Sequence, residues 1–171
     1  MTAVPMVVDT NVVLVANRQH QDISAECVAN CALALKNLMQ DGKLVLDDRF
    51  LILNEYLNKT RPKIGNRPGD AFVKWALRNK ANRKFVDTVA VMDNPVRGFD
   101  TFPDDPALAE FDPADRKFVA VAGAHAGPTP ILQAADSKWL DWSSTLSQHG
   151  IAVTFLCPAD IKRFHKNKFG I

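Results

Sequence analysis

Residues 5–17 read PMVVDTNVVLVAN, an apolar run that three consecutive polar residues interrupt. The segment Val4–Val8 predicts a short buried strand, and the apolar character resumes after the interruption. A polar break inside a core segment costs free energy unless the polar groups have partners or a function. We therefore expect Asp9, Thr10 and Asn11 to have a role at the end of this strand.

The bulk properties are those of an ordinary globular protein, with 171 residues, 47% hydrophobic and 23% charged. This length fits one domain, and we expect residues 1–171 to form it, with 59–110 as a basic helical and loop insert. No apolar run approaches the roughly 20 residues of a membrane span, and no signal-peptide pattern opens the chain. These features predict a cytoplasmic protein without membrane contact. The cysteine count of three, an odd number, argues against a disulfide scaffold.

Short apolar strands alternate with helices along the chain. Strands are expected at Val4–Val8, Lys43–Leu46, Ile131–Ala135 and Ile151–Cys157. Helices are expected at Ile23–Gln40, Arg49–Lys59, 112–124 and Lys138–Gln148, with one or two more in Asp70–Ala90 and a loop over Val96–Glu110. This alternation predicts an α/β fold with three α/β/α layers and a central, mainly parallel sheet of about four to five strands.

Basic and acidic residues occupy different parts of the chain. The basic residues of the segment 59–84 are Lys59, Arg61, Lys63, Arg67, Lys74, Arg78, Lys80, Arg83 and Lys84. Acids prevail between Asp93 and Asp115. The pattern fits a cationic groove beside an anionic pocket, and it fits equally two solvated surfaces of opposite sign.

Several carboxylates fall at predicted strand ends and helix starts. Asp9 follows the first strand and Asp136 follows a late one, and ligands in open α/β sheets bind beyond the carboxyl ends of the strands. Asp112 and Asp115 lie in the first turn of one helix, whereas Glu55 borders apolar residues in another. Each acid alone has a structural explanation as a cap, an ion-pair partner or a turn residue. Together, like charges in this arrangement call for a divalent cation.

Four stretches carry a family resemblance: VVDTN at 7–11, NEYL at 54–57, FDPADRKFVAVA at 111–122 and AADSKW at 134–139. In this order and spacing they resemble the PIN-domain nucleases, and most of all the stand-alone bacterial type that includes VapC-like toxin ribonucleases. The resemblance covers nearly the whole chain. It implies a PIN-like domain and a metal-dependent nuclease, with RNA favoured over DNA as the substrate.

The resemblance places the family's site residues at Asp9, Asn11, Glu55, Asp112, Asp115 and Asp136. It implies that Asp9, Asp115 and Asp136 hold Mg²⁺ or Mn²⁺, metals that prefer oxygen ligands. Glu55 would hold a second metal or position the attacking water, Asp112 would help, and Asn11 would orient the carboxylates. Such a site hydrolyses phosphodiester bonds.

The resemblance also implies partners. The basic residues of the segment 59–84 would contact nucleic-acid phosphates without reading sequence. The basic tail from Lys162 is either a second such contact or a solvated end. An antitoxin protein and a second copy of the chain are further expected partners. Cys27 and Cys31, four residues apart on an apolar helix stripe, are interpreted as buried thiols.

Other functions stay open. An aspartyl-phosphate phosphatase also has an Asp after its first strand, but its second Asp would fall on Asn11. A PIN-like module that only binds RNA or protein is favoured by Ala134, where many relatives carry Thr or Ser. Ser137 or Thr129 could replace that hydroxyl. A DNA-directed nuclease is a further alternative.

Overall fold

The computed structural model describes residues 3–169. The strands are β1 (Pro5–Val8), β2 (Lys43–Asp47), β3 (Val86–Val89), β4 (Asp93–Asn94), β5 (Gly98–Phe99), β6 (Ile131–Gln133) and β7 (Val153–Phe155). The helices are α1 (Thr10–Ala16), α2 (Ala25–Asp41), α3 (Leu51–Lys59), α4 (Pro68–Asn79), α5 (Arg116–Ala124), α6 (Lys138–Gln148) and α7 (Pro158–Phe169). Short 3₁₀ turns cover Pro106–Leu108 and Pro113–Asp115.

Five parallel strands form the central sheet in the order β3-β2-β1-β6-β7. The helices α1, α2 and α4 pack against one another, and α5 packs on β1 and β2. The predicted three-layer α/β/α fold is therefore confirmed. The strands β2 and β3 lie on one side of β1, and β6 and β7, which come later in the chain, lie on its other side. The strand order therefore reverses between β1 and β6, which makes this the topological switch point of the sheet.

Local sequence explains where the two N-terminal helices begin. Asp9 caps α1 by accepting a hydrogen bond from Asn11 N at 2.7 Å. Ser24 caps α2 by accepting one from Cys27 N at 3.1 Å. Both caps satisfy backbone N–H groups that have no partner within the helix. The carboxyl end of β1 therefore continues directly into a helix, which leaves the Asp9 side chain at the edge of the sheet.

The core lies between the sheet and its helices, and it includes aromatic side chains from the basic segment. Phe72 is fully buried and stacks on Trp75, whose ring in turn meets the edge of Phe85. These rings pack against the core and are not arranged as an exposed stacking surface for bases.

Two expectations about secondary structure were wrong. The segment Asp70–Ala90 is not all helix, because α4 ends at Asn79 and Val86–Val89 pairs with β2 as an edge strand. The expected loop over Val96–Glu110 contains the short strand β5 and a 3₁₀ turn. The basic tail from Lys162 belongs to α7. Ile161 in the first turns of α7 is only 1% exposed and anchors that helix to the core.

The interpretation of the cysteines as buried thiols is confirmed for Cys31 and was wrong for Cys27. Cys27 and Cys157 form a disulfide, and Cys31 is a buried free thiol. The two partners are 130 residues apart, and only the packing of the β7–α7 junction beside α2 brings them together. Within residues 3–169, no helix combines the length and the apolar character that crossing a membrane requires.

Candidate metal centre

Two of the predicted acids lie where β1 and β6 end. Asp9 is 5% exposed, and its backbone N–H donates to Leu132 O at 3.0 Å, which fixes β1 against β6 at this point. Asp136 follows β6 after two residues, and its Oδ1 accepts a hydrogen bond from Lys138 N at 3.2 Å. Both carboxylates therefore belong to the carboxyl edge of the sheet, at the switch point between β1 and β6.

Asn11 connects these two acids. Its backbone N–H donates to Asp9 Oδ1, and its own Oδ1 accepts a hydrogen bond from Ala135 N at 3.0 Å. The Asn11 side chain thus holds Ala135, the residue before Asp136, beside the turn that carries Asp9. The prediction that Asn11 orients the site is consistent with this geometry.

Glu55 enters the site from α3. Its Oε2 accepts a hydrogen bond from the Thr10 hydroxyl, and its Oε1 lies 3.2 Å from Lys117 Nζ. The Glu55 side chain therefore points towards the fold, on the side of its apolar neighbours in the sequence. Glu55 forms its ion pair with Lys117 and not with Lys59, which lies one turn away on the same helix.

Asp112 and Asp115 flank the 3₁₀ turn that leads into α5. Asp112 Oδ1 accepts a hydrogen bond from Ala114 N at 3.1 Å, as expected for a capping residue. Burial, and then the charges of Asp112 and Asp136, raise the pKa of Asp115 to about 6, although Lys117 acts to lower it. The Asp115 carboxylate is thus within electrostatic reach of the other acids.

The strongest electrostatic effect falls on Asp9. Burial raises its pKa well above the usual value for a carboxyl group, and the charges of Asp115, Asp136 and Glu55 raise it further. The hydrogen bond from Asn11 acts in the opposite direction. The charges of the other three predicted acids thus act on the Asp9 carboxyl group, and we call Asp9, Glu55, Asp115 and Asp136 the acidic cluster.

The donor chemistry of this cluster fits a hard divalent cation. Its groups are carboxylate, amide and hydroxyl oxygens, which suit Mg²⁺ or Mn²⁺. The carboxylates are not drawn tightly together: within residues 3–169, the only three metal-ligating side chains within 4.8 Å of one another are Cys27, Cys31 and Cys157. Mg²⁺ usually keeps several waters and takes only one or two carboxylates directly, so a wider acidic cluster still suits it.

Three of the nine predicted nucleic-acid-binding residues line one cleft. Lys59, Arg61 and Arg67 border this cleft, which has a volume of about 600 Å³. A second cleft, of about 480 Å³, contains Glu55 and Lys117. The two clefts share Asn58 and Lys59, so the basic cleft adjoins the one that Glu55 lines, whereas Asp9, Asp115 and Asp136 line neither.

The other six basic residues line neither cleft: Lys63, Lys74, Arg78, Lys80, Arg83 and Lys84. Two of them have other contacts. Lys80 Nζ lies 5.0 Å from the centre of the Phe50 ring, and Lys84 Nζ lies 5.3 Å from that of Phe85. The basic residues of the segment 59–84 are therefore divided between the basic cleft, which adjoins the cleft of Glu55, and surfaces outside both clefts.

One of the two suggested replacements for the hydroxyl absent at Ala134 is wrong. Thr129 precedes β6 and bonds to His125, so it lies at the opposite end of the strand from Asp136. Ser137 directly follows Asp136, is 8% exposed, and remains in position for that role.

Sequence reasoning missed two members of the cluster. Thr10 was expected only to have some role at the end of the first strand, yet its hydroxyl binds Glu55. Lys117 was not singled out, although it lies two residues after Asp115 in the quoted stretch DRKF. The signal that could have indicated Lys117 was its position two residues after Asp115, a predicted metal ligand.

No protein-family model, curated protein or solved structure matches this chain.

Proposed function

We propose that this protein is a PIN-type, metal-dependent nuclease, and that it acts as an endoribonuclease. The observation that carries the proposal is the convergence of Asp9, Glu55, Asp115 and Asp136 from four separate elements. Three of these charges raise the pKa of the fourth, Asp9, within a buried corner of the sheet. Four like charges converging in this way are costly for a fold, and a bound divalent cation removes the cost.

In this proposal Asp9, Asp115 and Asp136 hold Mg²⁺ or Mn²⁺. Such an ion polarises a phosphodiester and lowers the pKa of a bound water. Glu55 holds a second ion or orients the attacking water, and Asn11 keeps the strand ends that carry the acids in register. Asp112 adds negative charge from the adjoining turn.

The adjacency of the cleft that contains Glu55 and the basic cleft supports a single nucleic-acid strand as the substrate. Lys59 borders both clefts, and Arg61 and Arg67 border the basic one. Basic side chains in such positions bind phosphates whatever the base sequence. RNA is proposed over DNA on the family resemblance, and a role as the toxin of a toxin–antitoxin pair is proposed on the same ground.

A second candidate is a PIN-like module that binds RNA or protein without cleaving it. Ala134 favours it, because this fully buried methyl group stands where many PIN relatives have a hydroxyl. The pairing of Glu55 with Lys117 also favours it, because that contact occupies a carboxylate oxygen that a metal would need.

The test is a cleavage assay on labelled single-stranded RNA and DNA with Mn²⁺ or Mg²⁺. Wild type is compared with Asp9→Asn, with Asp136→Asn, and with the control Asp41→Asn, which changes an exposed acid at the end of α2. Metal-dependent cleavage that both site variants lose and the control keeps supports the nuclease. Mn²⁺ binding without cleavage of either substrate favours the binding module. A wild type that binds no Mn²⁺ overturns the proposed metal centre.

A further inference from the structure

Lys117 places a positive charge inside the acidic cluster. Its Nζ lies 3.2 Å from Glu55 Oε1 and also donates to the Ala114 carbonyl oxygen. The Lys117 side chain is 13% exposed and that of Glu55 is 21% exposed, so the pair is partly shielded from water. Lys117 also acts to lower the pKa of Asp115. Its charge therefore acts on two of the carboxylates.

Both oxygens of Glu55 have partners in this arrangement. The Thr10 hydroxyl donates to Oε2, and Lys117 pairs with Oε1. A cation that binds Glu55 directly must displace one of them. The ammonium group is the costlier neighbour for such an ion, because two positive charges near the same carboxylate repel each other.

We propose that Lys117 is an internal counter-ion of the acidic cluster, one that a divalent cation displaces from Glu55. The inference rests on the proposed metal centre and adds a residue that opposes metal binding. Before the ion binds, Lys117 neutralises Glu55 and limits repulsion among the acids. After the ion binds, the ammonium group is released within the cleft that Glu55 and Lys117 both line, where a substrate phosphate can accept a hydrogen bond from it.

The counter-ion role and a merely structural role predict opposite effects on metal affinity. If Lys117 only held Glu55 in place, its removal would loosen the site and weaken Mn²⁺ binding. If Lys117 competes with the ion, its removal strengthens Mn²⁺ binding while lowering the stability of the metal-free protein. This difference makes the proposal testable without any measurement of activity.

The experiment is calorimetric titration of Mn²⁺ into wild type, Lys117→Met, Lys117→Arg and the control Lys59→Met. Lys59 lines the same cleft as Lys117, and its replacement by Met changes the net charge by the same amount. Glu55, however, pairs with Lys117 and not with Lys59. We expect Lys117→Met to bind Mn²⁺ about fivefold more tightly than Lys59→Met does, and Lys117→Arg to resemble wild type. Melting without metal should show Lys117→Met below wild type, with the difference closing when Mn²⁺ is added.

Mn²⁺ affinity in Lys117→Met equal to or weaker than that in Lys59→Met overturns the counter-ion role and leaves the proposed metal centre intact. Absence of Mn²⁺ binding in wild type and in Lys117→Met, with both folded by circular dichroism, overturns the metal centre and this inference together.

Discussion

Asn11 Oδ1 accepts a hydrogen bond from Ala135 N at 3.0 Å, and this contact joins the first turn of α1 to the chain that follows β6. The two residues are 124 positions apart in the sequence. Asp9 lies two residues before Asn11, and Asp136 lies one residue after Ala135. The Asn11 side chain thus adds a contact between the segments that carry two candidate metal ligands, beside the backbone pairing of β1 with β6.

Replacement of Asn11 by Ala should destabilise the protein by about 1–2 kcal/mol, because it leaves the Ala135 N–H without its acceptor. Asn11→Asp keeps an acceptor but adds a negative charge beside Asp9, so we expect it to destabilise the metal-free protein as well. Urea unfolding measures both changes. The exposed Asn37 on α2, replaced by Ala, serves as the control and should change stability by less than about 0.5 kcal/mol. An Asn11→Ala variant as stable as this control would contradict the proposed role.

The raised pKa of Asp115 predicts a distinct pH dependence. Without divalent cations, the folded state retains this proton up to about pH 6, whereas the unfolded state loses it near the ordinary value of 3.8. The folded state binds more protons in this window, so the contribution of Asp115 to stability falls as the pH rises from about 4 to 6. The total change is up to about 3 kcal/mol.

Asp115→Asn removes this ionisation, and the quantity to measure is therefore the difference in unfolding free energy between wild type and the variant. In chelator-treated protein, wild type should lose stability relative to Asp115→Asn as the pH rises through the window. Other acids, such as Asp93 beside Arg49, have lowered pKa values and affect both proteins alike at lower pH. A difference that stays constant from pH 4 to 7 would rule out the perturbed carboxyl group.

The Cys27–Cys157 disulfide should be a large source of stability, because it closes a loop of 130 residues. Cys157→Ala should cost about 3–5 kcal/mol. Cys31→Ala is the matched control, since it removes a buried sulfur from the same cluster without breaking the disulfide. Melting with and without a reductant, together with a thiol count in denaturant, tests the bond. One reactive thiol per chain is expected, and three would show that the disulfide is absent.

The division of the basic residues predicts unequal effects on nucleic-acid binding. The variant Lys59→Ala/Arg61→Ala/Arg67→Ala should weaken binding to single-stranded RNA by tenfold or more at low salt and should lessen the salt dependence of the affinity. Lys80→Ala/Arg83→Ala/Lys84→Ala removes the same charge from residues that line neither cleft and should have a much smaller effect. Fluorescence anisotropy over a range of salt concentrations distinguishes them. Equal losses in both triple variants would indicate binding by overall charge alone.

Much of the fold was predictable, because its signals are local. The strands β1 and β6 are short apolar runs followed by an acid, and α6 was placed at its observed bounds, Lys138–Gln148. The strand β3 was missed because Val86–Val89 contains two polar residues and follows a helix closely. Val86–Val89 is a strand because it pairs with β2, and the sequence of these four residues alone does not predict that pairing.

Two acids of the candidate site, Asp9 and Asp136, could be placed at the sheet edge from the sequence for a related reason, whereas Glu55 and Asp115 were assigned through the family resemblance. A strand that ends in an acid delivers its carboxylate to the sheet's carboxyl edge, whatever the rest of the chain does. The partners of those acids follow no such rule. Lys117 lies 62 positions from Glu55, and an equally plausible partner, Lys59, lies one helical turn away.

The sequence by itself thus determined the alternation of strands and helices, the burial of the central strands and the presence of acids at their ends. These properties depend on apolar periodicity and on residues within a few positions of one another. Only the tertiary structure decided which cation pairs with Glu55, which cysteines are joined and which basic residues border the cleft that adjoins that of Glu55. Those outcomes depend on contacts between segments distant in the chain, and the packing of the layers selects one partner among several of the same chemistry.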